Sequence, residues 1–151
     1  MQRKSILVII SAMICLVGAT TVSAQGTMEI VGIDTIKWMP CDPNADDPSA
    51  CQLAYFRGDP GKEPNHKMVK AKGGFKFPAH WHTGNENLVI TKGLVTIAAE
   101  GGQEQETLLT VGDYLRIPAR RVHWGSCPVE CIFYLYVDGP DSYYDAMAQR
   151  P

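Results

Sequence analysis

From residue 28 onward the chain is a string of short runs in which apolar or β-branched residues alternate with polar ones, each broken by Gly, Pro, Asn or Asp. The runs are MEIVGI, QLAYFR, HKMVKAK, NLVIT, LVTIAA, TLLTV, DYLRIP, RVHWG and CIFYLYV. No stretch sustains the 3.6-residue repeat of an amphipathic helix. Several short strands at this spacing, with turn residues between them, predict an all-β sandwich or barrel. Gly101-Gly102-Gln103 reads as one hairpin tip and Pro128-Val129-Glu130 as another. The Pro- and Asp-rich segment from Pro40 to Pro48 predicts a surface excursion. The tail DSYYDAMAQRP is read as a turn of helix, and no internal repeat is present.

The opening residues follow a different pattern. Arg3 and Lys4 precede the apolar run Ile6 to Val17, which passes into small residues ending Val22-Ser23-Ala24. That is the layout of a secretory signal peptide over residues 1–24, cut between Ala24 and Gln25. Gly18, Thr20, Thr21 and Ser23 polarise the end of the run, which argues against an uncleaved anchor. Cys15 reads as hydrophobic filler, because Met13 and Ile14 stand where small residues precede a lipidated cysteine. The expected mature chain, residues 25–151, is a single domain, periplasmic or secreted, with no membrane association after cleavage.

Composition adds two constraints. With 151 residues, 45% of them hydrophobic and 20% charged, the chain is an ordinary globule with room for a core. Cleavage removes two of the 14 basic residues and none of the 16 acidic ones, leaving 12 against 16 and a formal charge of −4. No basic patch remains to recruit nucleic acid. The mature chain keeps Cys41, Cys51, Cys127 and Cys131, an even number in an oxidising compartment, so disulfides are the default. The local pairings, Cys41 with Cys51 and Cys127 with Cys131, are preferred to the two crossed alternatives. A zinc site of four thiolates lacks the paired two-residue spacings.

The chemistry concentrates in GFKFPAHWHTGNE, residues 74–86. In an extended strand His80 and His82 point to one face, with backbones roughly 6.6 Å apart, and Trp81 points to the other. Thr83-Gly84-Asn85 has the composition of a bend, and Glu86 resumes the parity of the histidines, followed by Leu88 and Ile90 on the same face. A buried face does not hold an unpaired glutamate cheaply, whereas a divalent cation neutralises it. The alternative is two exposed histidines and a solvated turn acid, and H-x-H alone does not decide between them. Any fourth ligand must come from His66 or His123.

The order of residues changes that balance. Gly74, five residues, His80, one residue, His82, three residues, Glu86, six residues and Gly93 resemble the first signature of the cupin superfamily at every defined position. Gly112, five residues, Pro118 and, five further on, His123 resemble the second. Arg120 replaces the glycine of that pattern and Cys127 its asparagine, so the turn before His123 is expected to differ, because a non-glycine residue pays for a left-handed backbone there. Phe56-Arg57-Gly58-Asp59-Pro60 and Val137-Asp138-Gly139-Pro140 are similar to a branch of small, often exported bacterial cupins of mostly unassigned activity.

The resemblance implies a cupin-type jelly-roll barrel, a double-stranded β-helix, with one divalent transition metal held by His80, His82, Glu86 and His123. Fe, Mn, Zn, Ni, Co and Cu all suit that ligand set. It implies a small-molecule ligand or substrate and leaves room for a homodimer formed through sheet edges. Activity of dioxygenase, isomerase or lyase type on a small oxygenated molecule is one implication; a non-catalytic, metal-stapled binding or sensing module is the other. Tyr134 and Tyr136 share a face of the last long strand and are the candidate catalytic phenols, provided that this face lines the cavity. Arg116 is a weaker candidate for pairing an anionic substrate. His66 is read as solvated, and Trp81 and Trp124 as packing away from the ligand face.

Overall fold

The structure, a computed structural model, describes residues 27–146. The leader expected over residues 1–24 lies outside the described residues. The unit beginning at Val31 carries all the regular structure discussed here. Its eleven strands are β1 (Met39–Pro40), β2 (Cys51–Arg57), β3 (Asn65–Ala71), β4 (Phe75–His82), β5 (Glu86–Lys92), β6 (Val95–Ala99), β7 (Gln103–Leu109), β8 (Tyr114–Ile117), β9 (His123–Cys127), β10 (Cys131–Val137) and β11 (Tyr143–Asp145). No helix occurs among the described residues.

The strands form two antiparallel sheets, one ordered β1-β2-β3-β10-β5-β8 and the other β11-β4-β9-β6-β7. This is the all-β jelly roll that the alternating pattern and the two signatures predict. Period two makes the register legible: β10 buries Cys131, Phe133, Leu135 and Val137 and leaves Ile132, Tyr134 and Tyr136 half-buried. Its neighbours keep phase, since Leu135 lies opposite both Lys67 of β3 and Leu88 of β5. The core between the sheets gathers Val69, Ala71, Leu88, Ile90, Val95, Ile117, Phe133 and Leu135, with Phe75 and Phe77 packed against it.

The two local disulfides are present, with Cα atoms 5.4 Å apart for Cys41–Cys51 and 5.7 Å for Cys127–Cys131. The second closes the turn between β9 and β10. Gly93 turns the chain beneath it with φ 73°, where a β-carbon would strike the Glu130 carbonyl, so both conformation and space require glycine.

Two expectations are corrected. MEIVGI forms no strand; the first strand among the described residues is Met39–Pro40. The tail contains no helical turn over its described residues. Tyr143–Asp145 instead adds an antiparallel strand to β4, placing Tyr143 opposite His82 and Asp145 opposite His80.

Candidate metal centre

β4 supplies two histidines after a break in its pairing with β9 between Phe77 and His80, which brings His80 into register with His123. All three rings therefore face the same interior. Their nitrogens offer one atom each within 4.8 Å of one another, and all three side chains are buried. The ring centroids of His80 and His123 lie 4.2 Å apart. Glu86 opens β5 on the facing sheet, with its oxygens 3.6 Å from His82 Nε2 and 3.2 Å from His123 Nε2. The structure thus brings His80, His82 and His123 together and sets the Glu86 carboxylate beside two of them.

The hydrogen bonds fix what these rings can do. His80 Nδ1 lies 2.6 Å from the Pro78 carbonyl, His123 Nδ1 2.9 Å from the Arg121 carbonyl, and His82 Nδ1 2.6 Å from Asp141 Oδ1. Each of these oxygens accepts, so each Nδ1 carries the proton and, in the neutral ring, each Nε2 presents a bare lone pair. Glu86 Oε2 is buried without a hydrogen bond. Lone pairs facing a carboxylate repel unless a cation lies between them, and three imidazoles with one carboxylate are a transition-metal donor set. The residues fit the metal that the signatures imply.

The electrostatics of the metal-free site carry the same tension. Burial, then the neighbouring charge of His123, holds His80 down to about 4. Burial would also lower His123, but the adjoining Glu86 carboxylate pushes it above its ordinary value. Burial would raise Glu86, and the adjoining histidines outweigh it and draw it below the usual carboxylate range.

The turn preceding His123 takes a left-handed residue although no glycine stands there. Arg120, at φ 62°, is the one non-glycine residue with positive φ among the described residues, and its N–H donates to the His82 carbonyl at 2.7 Å. The left-handed backbone thereby ties the His123 turn to the His82 strand.

Tyr134 and Tyr136 are not brought to this centre. Tyr136 lies opposite Asn87 and Tyr134 opposite Val89, the phase opposite to Glu86 and Leu88. The face of β10 that lines the interior is the wholly apolar one, because the metal point is reached from β4, β5 and β9 rather than from β10. The tyrosines meet His66 instead: His66 Nδ1 is 2.5 Å from the Tyr134 hydroxyl and its ring is 4.7 Å from that of Tyr136. His66 is consequently partnered rather than merely solvated. Arg116 lies opposite Asn87 on that outer phase and donates to Asn85 Oδ1 at 3.1 Å. Trp81 points away from the ligand face as expected and stacks on Tyr144 at 4.2 Å.

Three residues of the site were missed. Tyr143 stacks on His80 at 4.7 Å and meets His82 edge-on at 5.4 Å while remaining 54% exposed, so it is the phenol at the rim. Burial foremost raises its pKa, which keeps it protonated. Asp141 accepts from His82 and also pairs with Lys67. Lys67 had a detectable signal, because it shares the inward phase of Val69 and Ala71 in HKMVKA. Asp141 and Tyr143 had none, since the segment holding them was assigned to the wrong element. On the β6–β8 side, a cavity of about 290 Å³ lined by Ile97, Ala99, Leu115, Ile117 and Arg121 reaches His123.

The family model described as the cupin domain matches residues 66–136, a span holding both signatures. The chain belongs to the cupin superfamily. A search of curated proteins gave no match. Among solved structures this cupin is similar to an RmlC-like cupin protein from Ralstonia eutropha JMP134, at 20% identity, TM-score 0.63, over 83% of this chain and 77% of that one. It is also similar to the DMSP lyase DddQ from Ruegeria pomeroyi DSS-3, at 16% identity and TM-score 0.64, over 78% of this chain and 64% of that one. A third likeness is salicylate 1,2-dioxygenase from Pseudoaminobacter salicylatoxidans in complex with gentisate, at 12% identity and TM-score 0.58, over 70% of this chain and 31% of that one. At these identities the likeness is one of fold.

Proposed function

We propose that this cupin is an exported, metal-dependent enzyme that acts on a small oxygenated molecule by dioxygenation, isomerisation or lyase chemistry. The observation that carries the reading is the convergence of three histidines, each with Nδ1 committed to an oxygen, beside the Glu86 oxygen that has no hydrogen bond. His80, His82, Glu86 and His123 would hold one divalent transition ion. When bound, such an ion supplies Lewis-acid polarisation and, for a redox-active metal, a site for dioxygen.

The chain's own residues support a substrate rather than a staple. The cavity against His123 gives a small molecule a way in, with Ile97, Leu115 and Ile117 excluding water from its apolar part. Tyr143, protonated and half-exposed beside His80, is a hydrogen-bond donor at the rim in place of Tyr134 and Tyr136. A divalent ion with one carboxylate leaves one net positive charge among the candidate ligands, which favours a monoanionic oxygen group. The named neighbours include a lyase and a dioxygenase, which supports both chemistries as candidates for this site. The two disulfides support residence in an oxidising compartment, periplasmic or extracellular, after loss of residues 1–24.

Elemental analysis of the purified chain tests the reading, followed by titration with carboxylates, enols and diols while the metal's spectrum is observed. Stoichiometric metal in the wild type and none in Glu86→Ala is the expected result. A Glu86→Ala protein that folds, lacks metal and turns over substrate at the wild-type rate would sink it.

A further inference from the structure

Besides Glu86, the interior beside the candidate ligands holds Lys67 and Asp141, with side chains only 6% and 4% exposed. Removing both charges from water costs several kcal/mol per ion, so such a pair is poor evidence of a purely stabilising role. Its arrangement suggests a different one. Asp141 divides its oxygens: Oδ2 accepts from the Lys67 ammonium, and Oδ1 accepts the His82 Nδ1 proton at 2.6 Å. His80 and His123 give theirs to neutral carbonyls. His82 alone is backed by a full negative charge, which increases the electron density available at its Nε2.

The carboxylate is also held from several sides. The Asp141 N–H donates to the Pro60 carbonyl at 2.5 Å, and the adjoining Pro140 carbonyl accepts from Thr83 Oγ1 at 2.5 Å. Thr83 Oγ1 accepts from the Ser142 N–H at 3.0 Å. Gly84, next in the turn, lies so close to Val137 that any side chain would collide with it. The turn after His82 and the loop bearing Asp141 are laced into one piece.

We propose that Asp141 is a positioning residue, which orients His82 and strengthens it as a metal ligand, with Lys67 as the counter-ion that aims the carboxylate. The inference rests on reading His82 as a ligand.

The test uses the full chain and Co(II) as probe, with affinity read by chelator competition and geometry by visible absorption. Asp141→Asn is expected to weaken Co(II) binding about 10–100-fold and to shift the absorption bands. The double variant Lys67→Met/Asp141→Asn strands no charge and is expected to fold even if the single variant does not. It should keep the loss of affinity; wild-type affinity and spectrum in the double variant would mean that Asp141 serves Lys67 alone, and would overturn the proposal. Nitrogen NMR of the metal-free wild type gives a check independent of any substitution. A His82 ring protonated at Nδ1 supports the proposal, and one protonated only at Nε2 overturns it. Failure of the wild type to bind Co(II) would remove the metal reading as a whole, whereas binding unchanged in both variants would remove this inference alone.

Discussion

The same strands build two ends of one sandwich, and the ends differ in kind. β3 contributes Val69 and Ala71 at one end and Asn65 and Lys67 at the other. β4 contributes Phe75 and Phe77, then His80 and His82; β5 Ile90 and Leu88, then Glu86; β9 Cys127, then His123. At the apolar end Phe77 packs edge-on against Phe75 and Phe133, with ring centroids 4.9 and 6.0 Å away, and a disulfide closes the adjoining turn. At the polar end lie Asn65 and Glu86, whose side chains keep buried polar atoms without a hydrogen bond. Apolar burial stabilises by about 25 cal/mol per Å², while each orphaned polar group costs about 1–3 kcal/mol. Stability is therefore concentrated where the chemistry is not.

The sharpest way to break this division is to exchange its consequences. Phe133→Ala should cost about 3–5 kcal/mol in denaturant unfolding and leave Co(II) affinity unchanged. Glu86→Gln should do the reverse, abolishing measurable metal retention while shifting metal-free stability by less than about 1 kcal/mol, since the amide keeps the side chain's shape and the lost attraction of the histidines is offset by the burial cost of the charge removed. A large stability loss in Glu86→Gln, or a large affinity loss in Phe133→Ala, would join the two ends energetically.

Acid should act on the polar end first. His123 is held above its ordinary value by Glu86, against burial, so protons compete at that ring from neutrality downward. His80, at about 4, competes only near that pH. Co(II) affinity should fall about tenfold per pH unit between 7 and 5, roughly 100-fold in all, and more steeply near pH 4. The linkage for His80 runs the same way: its folded value lies below the unfolded 6.5, so the metal-free fold loses stability as pH falls from 6.5 towards 4. A proton-release slope that stays flat across this range would remove the histidines from the ligand set.

At the apolar end, opening Cys127–Cys131 by Cys→Ser substitution at both positions should cost about 2 kcal/mol, the loop-closure value for so short a ring, with metal affinity unchanged within about twofold. The smallest effect belongs to the join between sheet and site. Arg120→Gly should stabilise by up to about 1 kcal/mol, because a left-handed backbone costs arginine about 1–2 kcal/mol and part of the gain is returned as glycine's chain entropy. The bond to His82 uses the backbone N–H of residue 120, so Co(II) affinity should not change.

Apart from MEIVGI, period-two alternation located strands because each buries one face, and the counted intervals sufficed to bring His80, His82 and His123 together, with Glu86 beside two of them, because strand parity and turns convert spacing into direction. Tyr134 and Tyr136 show where that stops. Alternation says that Phe133 and Tyr134 face opposite ways, and both phases of β10 contain rings, so sequence alone does not say which phase is interior. Asp141 and Tyr143 were illegible for another reason. They reach the site through pairings with β4 and its following turn across some 60 residues, and no local pattern records such a contact.

That distance bears on when the centre acquires its character. His82 and Asp141 stand 59 residues apart, and their bond closes only once the β10–β11 loop has docked on the turn after β4. An ion captured earlier in folding would meet His82 without its anionic backing. Any discrimination among ions that this backing confers would thus belong to the finished protein, and loading before or after that docking step need not select the same element.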